Sequence, residues 1–182
     1  MSTFPDRPHS AVLVVDFQVG VVAGNYQRER IQANVKELVA KARAAGVPVI
    51  WVQDVAEGRE IDSEPWQIVA DLGPLPDEPR VQKRYGDSFE DTELADLLAA
   101  GGVGRLYVAG AQTDACIRST IHGAFTRGYD TILVGDAHTT EDLTEWGSPP
   151  PADVIAHTNL YWTYHEGPGR VAGVVNTADL QL

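Results

Sequence analysis

The chain has 182 residues, with 26 acidic against 14 basic side chains and a formal net charge of −12. That length suits one compact domain over residues 1–182 with a single buried core, and 43% hydrophobic with 22% charged residues is ordinary globular usage, so the acidity does not signal disorder. The charge repels nucleic acid and anionic membrane, so neither is expected as a partner, and the lone cysteine excludes a disulfide framework and Cys-rich metal sites.

Residues 1–9 carry no apolar core, and the run Ala11-Val12-Leu13-Val14-Val15 is too short to span a bilayer or serve as a signal segment, so a cytoplasmic location is expected. That run, mostly β-branched, predicts a strand buried on both faces with Asp16 at its carboxyl end. Between residues 29 and 45, apolar side chains fall at Ile31, Val35, Leu38, Val39 and Ala42, a helical spacing that closes at Gly46 with Pro48 beyond. Val49-Ile50-Trp51-Val52 is a second buried strand, so the opening fifty residues spell a parallel crossover.

Residues 56–79, rich in acid, Pro and Gly around Trp66-Gln67-Ile68-Val69, predict a loop with a short helix, a lid in form. The alternation then resumes with a helix over 91–100, a strand over 106–109, a helix over 114–128 and a strand over 131–134. A helix over 152–164 follows Ser148-Pro149-Pro150-Pro151, and residues 170–175 end the chain as an edge strand. The fold class is α/β: three layers, a doubly wound, mostly parallel, Rossmann-like sheet with helices on both faces.

In such sheets the binding crevice lies beyond the carboxyl ends of the strands. Asp16 ends the first strand there, and Gly110-Ala111-Gln112-Thr113-Asp114-Ala115-Cys116 leaves a later one. Thr113 suits an N-cap, which puts Cys116 third in the helix, where unpaired N–H groups and the helix dipole lower a thiol pKa and can bind an oxyanion. On residues alone two readings of Cys116 stay open, a nucleophile or a filler of the first turn beside Ile117 and Ile121. Asp16 is equally a turn cap or a catalytic acid, and Lys83 a solvated surface group or a partner to either. The stretch after the first strand holds neither G-x-G-x-x-G nor G-K-[ST], which disfavours a nucleotide cofactor. His122 falls about 120° around a regular helix from Cys116, leaving His138 the better histidine outsider.

Taken in order, Val12-Leu13-Val14-Val15-Asp16-Phe17-Gln18, then Val81-Gln82-Lys83-Arg84-Tyr85 with Ser88-Phe89, then Gly110 to Cys116, then Val134-Gly135-Asp136-Ala137, the chain resembles the isochorismatase-like cysteine hydrolases. These include nicotinamidases, carbamoylsarcosine amidases and ureidoacrylate amidohydrolases. The resemblance covers residues 10–140 well and the last forty loosely. It implies a triad of Asp16, Lys83 and Cys116, a cis peptide between Ala111 and Gln112, and an oxyanion hole from the Gln112 and Cys116 amides. It further implies hydrolysis of a small amide, carbamoyl or ureido C–N bond through an acyl-enzyme. A vinyl-ether hydrolase and a non-catalytic binding or redox-sensing protein remain as alternatives. Nicotinamidases bind a metal through Asp-x-His after the second strand, whereas Asp54-Val55-Ala56 stands here, so no metal and no cofactor are expected. Phe17, Trp66, Tyr85 and Phe89 are the expected substrate pocket, joined by Gln112 and Trp162. A homo-oligomer, dimer or tetramer, is expected, with residues 146–164 as its contact surface.

Overall fold

A computed structural model describes residues 2–182. Seven strands form one sheet in the order β3-β2-β1-β4-β5-β7-β6, where β1 is His9–Val15, β2 Val49–Asp54, β3 Arg80–Lys83, β4 Val103–Ala111, β5 Asp130–Thr139, β6 Glu166–Gly167 and β7 Arg170–Val175. Every neighbouring pair is parallel except β6 with β7. The expected α/β sheet is therefore present. Residues 170–175 are an inner strand, because the two-residue β6 folds back outside them. No helix among the described residues is long and apolar enough to cross a membrane.

Period-two alternation sends β1 side chains to opposite faces. Val12 and Val14 join one core with Ile31, Val35, Leu38 and Val39 of α2 (Arg28–Ala44). Ala11, Leu13 and Val15 join the other with Leu94 and Leu98 of α3 (Leu94–Ala100), Ile121 and Phe125 of α4 (Arg118–Thr126), and Trp162 of α5 (Pro151–Thr163). Each such aliphatic side chain, fully withdrawn from water, contributes about 2 kcal/mol. A short α1 (Val19–Val22) follows β1.

The sheet order turns at β1, which has β2 on one side and β4 on the other. This switch point leaves a crevice beyond the carboxyl ends of β1 and β4. Close approach of those ends depends on Gly110, which pairs with Val15 at a φ of +126°. A Cβ built there would lie 1.9 Å from the Val15 carbonyl oxygen, so only glycine fits.

The sequence pattern does not announce β3. It has four residues with buried positions only at Val81 and Lys83, too short and too charged for an apolar-run reading. Its pairing with β2 sets Lys83 opposite Asp54, and the alternation that buries Val81 turns the lysine inward as well. Residues 56–79 hold a single 3₁₀ turn, Ala70–Leu72, and are sewn down rather than loose. The Trp66 carbonyl accepts hydrogen bonds from the Gln18 and Gln53 side-chain amides, at 2.9 and 3.0 Å.

Candidate active site

Asp16 follows β1 in a left-handed conformation with φ 51°, which aspartate tolerates better than most residues. Its amide donates to the Val52 carbonyl, fixing the turn. Both Asp16 and Lys83 are 1% exposed. Lys83 Nζ lies 2.7 Å from Asp16 Oδ2, 3.2 Å from Cys116 Sγ and 3.5 Å from Asp54 Oδ1. One ammonium thus touches the nucleophile candidate and two carboxylates. Asp16 Oδ1 is buried without a hydrogen-bond partner, an open acceptor in the cavity that Cys116 also lines.

The helix start differs from the expected one. Residues Thr113–Ile117 form a π turn, with the Ile117 amide reaching the Gln112 carbonyl at 3.1 Å, and α4 begins only at Arg118. Thr113 does not cap. Its buried hydroxyl meets His138 Nδ1 at 2.8 Å, and His138 Nε2 meets Asn159 Oδ1 at 3.0 Å. The Asn159 amide donates to Gly135 O, so its oxygen must accept, which makes Nε2 the protonated nitrogen and Nδ1 the acceptor of the Thr113 hydroxyl. Burial holds His138 down at about 4, so it stays neutral in this chain of bonds. A register shift in the β4–β5 pairing, from Val108 opposite Leu133 to Gly110 opposite His138, brings the imidazole here. The peptide bond between Ala111 and Gln112 is cis.

Electrostatics also overturn the expectation of a lowered thiol. Burial pushes Cys116 up to about 12, the neighbouring Asp16 carboxylate adds to this, and Lys83 opposes it. Any helix-start effect is outweighed by the burial of the thiol and, after it, by the carboxylate beside it. Burial likewise raises Asp16 to about 6 against the pull of Lys83. Burial works against the Lys83 ammonium, yet Asp16, Cys116 and Asp54 together hold it above its ordinary value. At neutral pH the resting site is therefore thiol, carboxylate and ammonium.

The cavity beside Cys116 has a volume of about 180 Å³ and is lined by Asp16, Asp54, Arg59, Gln112, Glu141 and the Gly20-Val21 backbone turn. A larger one of about 580 Å³ lies against α4 and α5, lined by Arg118, His122, His157 and Tyr161, but it excludes the thiol and the carboxylate, so the chemistry belongs to the smaller. Gln112 is immobilised. Its side-chain amide exchanges two hydrogen bonds with Asn25, at 2.8 and 3.1 Å, and accepts the Glu141 amide at 3.1 Å. Asp54 is bound by Arg59 at 2.5 Å. Of the nicotinamidase Asp-x-His pattern only the aspartate has a counterpart, Asp54, with Ala56 where the histidine would stand, and no group of three or more His, Cys, Asp or Glu among the described residues is arranged to hold a metal.

The expected aromatic pocket is corrected. Phe17 and Phe89 lie in the two cores, Trp66 is buried, and Trp162 stacks on His165 within the α4–α5 aromatic cluster. Tyr85 is 54% exposed and lies outside the cavity lining. Sequence reasoning missed Arg59 and Glu141. Their only signal was position: each lies in a loop directly after a strand of the sheet, β2 and β5. On the proposed contact stretch, Trp146, Leu160 and Tyr164 are exposed.

A family model described as the isochorismatase domain matches residues 10–146. A streptothricin hydrolase of Streptomyces noursei is 36% identical over 75% of this chain, and the chain spans 57% of that relative's length. A ureidoacrylate amidohydrolase of Enterobacter sp. (strain 638) is 26% identical, over 88% of this chain and 89% of the relative. Among solved structures, an isochorismatase from Pseudomonas putida KT2440 superposes with a TM-score of 0.83 at 27% identity, covering 95% of this chain and 90% of that one.

Proposed function

The chain belongs to the isochorismatase family, and from that premise we propose that it is a cysteine hydrolase cleaving the C–N bond of a small amide, carbamoyl or ureido compound through a covalent acyl-enzyme on Cys116. The observation that carries this reading is the buried ammonium of Lys83, in contact with both the Cys116 thiol and the Asp16 carboxylate beside a cavity. The names of the hydrolase and amidohydrolase relatives support the same class of reaction.

The resting thiol is a weak nucleophile, and Asp16 is its base. As Cys116 Sγ attacks the carbonyl carbon, its proton passes to Asp16 and the carbonyl electrons move to oxygen. The Gln112 and Cys116 amides hold that oxyanion, with the Gln112 side chain pinned so that the turn does not have to reorganise. Collapse of the tetrahedral adduct breaks the C–N bond, and Asp16 returns the proton to the leaving nitrogen. Water then attacks the thioester, losing its proton to Asp16, and the carbon–sulfur bond breaks to give the acid and the thiol. Lys83 remains protonated throughout, keeping Asp16 oriented and offsetting the negative charge that builds in the site.

The test is an ammonia-release screen of amides, carbamoyl compounds and ureas, with isochorismate followed separately by pyruvate release, on the native chain and Cys116→Ala. Hydrolysis lost in the variant, with an acyl adduct on Cys116 in intact mass spectra, is the expected result. Turnover that survives Cys116→Ala, or hydrolysis of isochorismate alone, refutes it.

A further inference from the structure

The charges that line the cavity, and the Lys83 ammonium buried behind them, are not equally committed. Lys83 is held by Asp16 and Asp54, and Arg59 is held by Asp54. Glu141 is exposed, lines the same cavity, and takes part in no ion pair among the described residues; only its backbone amide is engaged, by Gln112. Three carboxylates against two cations leave the site one charge negative, with the surplus at Glu141. Asp16 Oδ1 is buried in the same cavity with no N–H or O–H donor on it, so the negative charge there is offset only through Oδ2 by Lys83. The two loops that deliver Arg59 and Glu141 carry the same sign. Residues 54–64 hold five acidic side chains against Arg59, and residues 141–145 hold Glu141, Asp142 and Glu145 with no basic residue. Acidic walls around a small cavity concentrate cations and repel anions before contact.

We infer that the substrate is an amide bearing a positively charged group, held by Glu141, and that amides bearing a carboxylate are rejected. The inference rests on the hydrolase reading for the word amide, but not for the charge. Arg59 offers the one opposing feature. Its Nε is a buried donor without a partner, which suits the neutral carbonyl of a substrate whose cationic end lies against Glu141, since the Arg59 charge is already met by Asp54.

Cys116 is the only cysteine in the chain, so thiol labelling reports this cavity alone. The native chain is treated with 2-aminoethyl and 2-sulfonatoethyl methanethiosulfonate, each rate divided by that with a free small thiol. Each reagent forms a mixed disulfide with Sγ and expels methanesulfinate. The cationic reagent should label about tenfold faster than the anionic one, and Glu141→Gln should lower that ratio by about threefold, the size of one unit charge acting near a protein surface. High salt should lower the ratio too. A ratio at or below one, the preference Arg59 would create, overturns the inference, as does a ratio unchanged in Glu141→Gln. Ammonia release from 3-aminopropanamide, butanamide and succinamate gives the parallel comparison in turnover. Hydrolysis of all three at equal kcat/KM sinks the charge inference and leaves the hydrolase reading standing. Charge-selective labelling with no hydrolysis of any amide does the reverse.

Discussion

Replacing Lys83 with methionine keeps the length and apolar stem of the side chain and deletes the ammonium between Asp16 and Cys116. Asp16 then has no cationic partner, because Oδ2 loses its 2.7 Å contact and only the weakly donating Cys116 thiol remains beside the carboxylate. An acid held at about 6 rather than 3.8 already costs the fold about 3 kcal/mol when ionised. Without Lys83 the main lowering influence is gone and burial prevails, so the carboxyl moves higher still and is protonated at pH 7. The sign follows from the raised value. Asp16 places no electrostatic demand on the fold below about pH 4, and the penalty grows as pH rises through its folded-state pKa, which the variant extends to higher pH. Lys83→Met should therefore match the native chain near pH 5 and fall behind by about 3 kcal/mol by pH 8, since keeping the carboxyl protonated above its native value of about 6 costs about 1.4 kcal/mol per pH unit. Urea unfolding at both pH values measures this, and Asp16→Asn in the Lys83→Met background should recover most of the loss at pH 8. Equal destabilisation at pH 5 and 8, or additive effects of the two substitutions, would refute the buried-pair account.

Asp16 as base predicts an acid limb in hydrolysis, with kcat/KM falling below about pH 6; Asp16→Asn should remove the limb along with activity by a factor of about 10²–10⁴. Thr113→Val leaves His138 Nδ1 without its donor at a buried site, so about 1–3 kcal/mol of stability should be lost in thermal unfolding, with kcat reduced more than KM is raised. Thr113→Ser, which keeps the hydroxyl, should restore both. Gly110→Ala drives a Cβ into the Val15 carbonyl and should cost more than about 4 kcal/mol, read as absence of a cooperative transition; a stable, native-like variant would contradict the close approach of β1 and β4.

The central elements were legible because physics writes them locally. The runs at 11–15, 49–52, 106–109 and 131–134 are apolar on both faces, as only an inner parallel strand allows, and α2 carries its stripe at helical spacing with glycine just beyond its end. Asp16 and Cys116 were legible as ends of such runs. Lys83 was not, since a charged residue in a short strand looks solvated until the pairing of β3 with Asp54 turns it inward. The π turn was hidden for a similar reason: Thr113 has the chemistry of a cap, but a histidine 25 residues away claims its hydroxyl. Pocket walls were least readable. Arg59 lies in a loop whose path depends on tethers from Gln18 to Asp54 and Trp66, contacts 36 and 48 residues apart, and Glu141 in one held through its amide by the Gln112 side chain, 29 residues away.

The switch point also divides the chemistry by synthesis order. Acid and ammonium come from residues 16 and 83, the nucleophile from residue 116, and they meet only once β4 has docked against β1 across nearly a hundred residues of chain. A nascent chain that has made its first two strands holds the base with nothing to activate, and an excised second half holds a thiol with nothing to take its proton. Loop closure of that span is slow compared with local helix formation. The site is therefore complete only when that long-range pairing has formed, and two complementary fragments cut between α3 and β4 should serve as a reporter that is silent until they assemble.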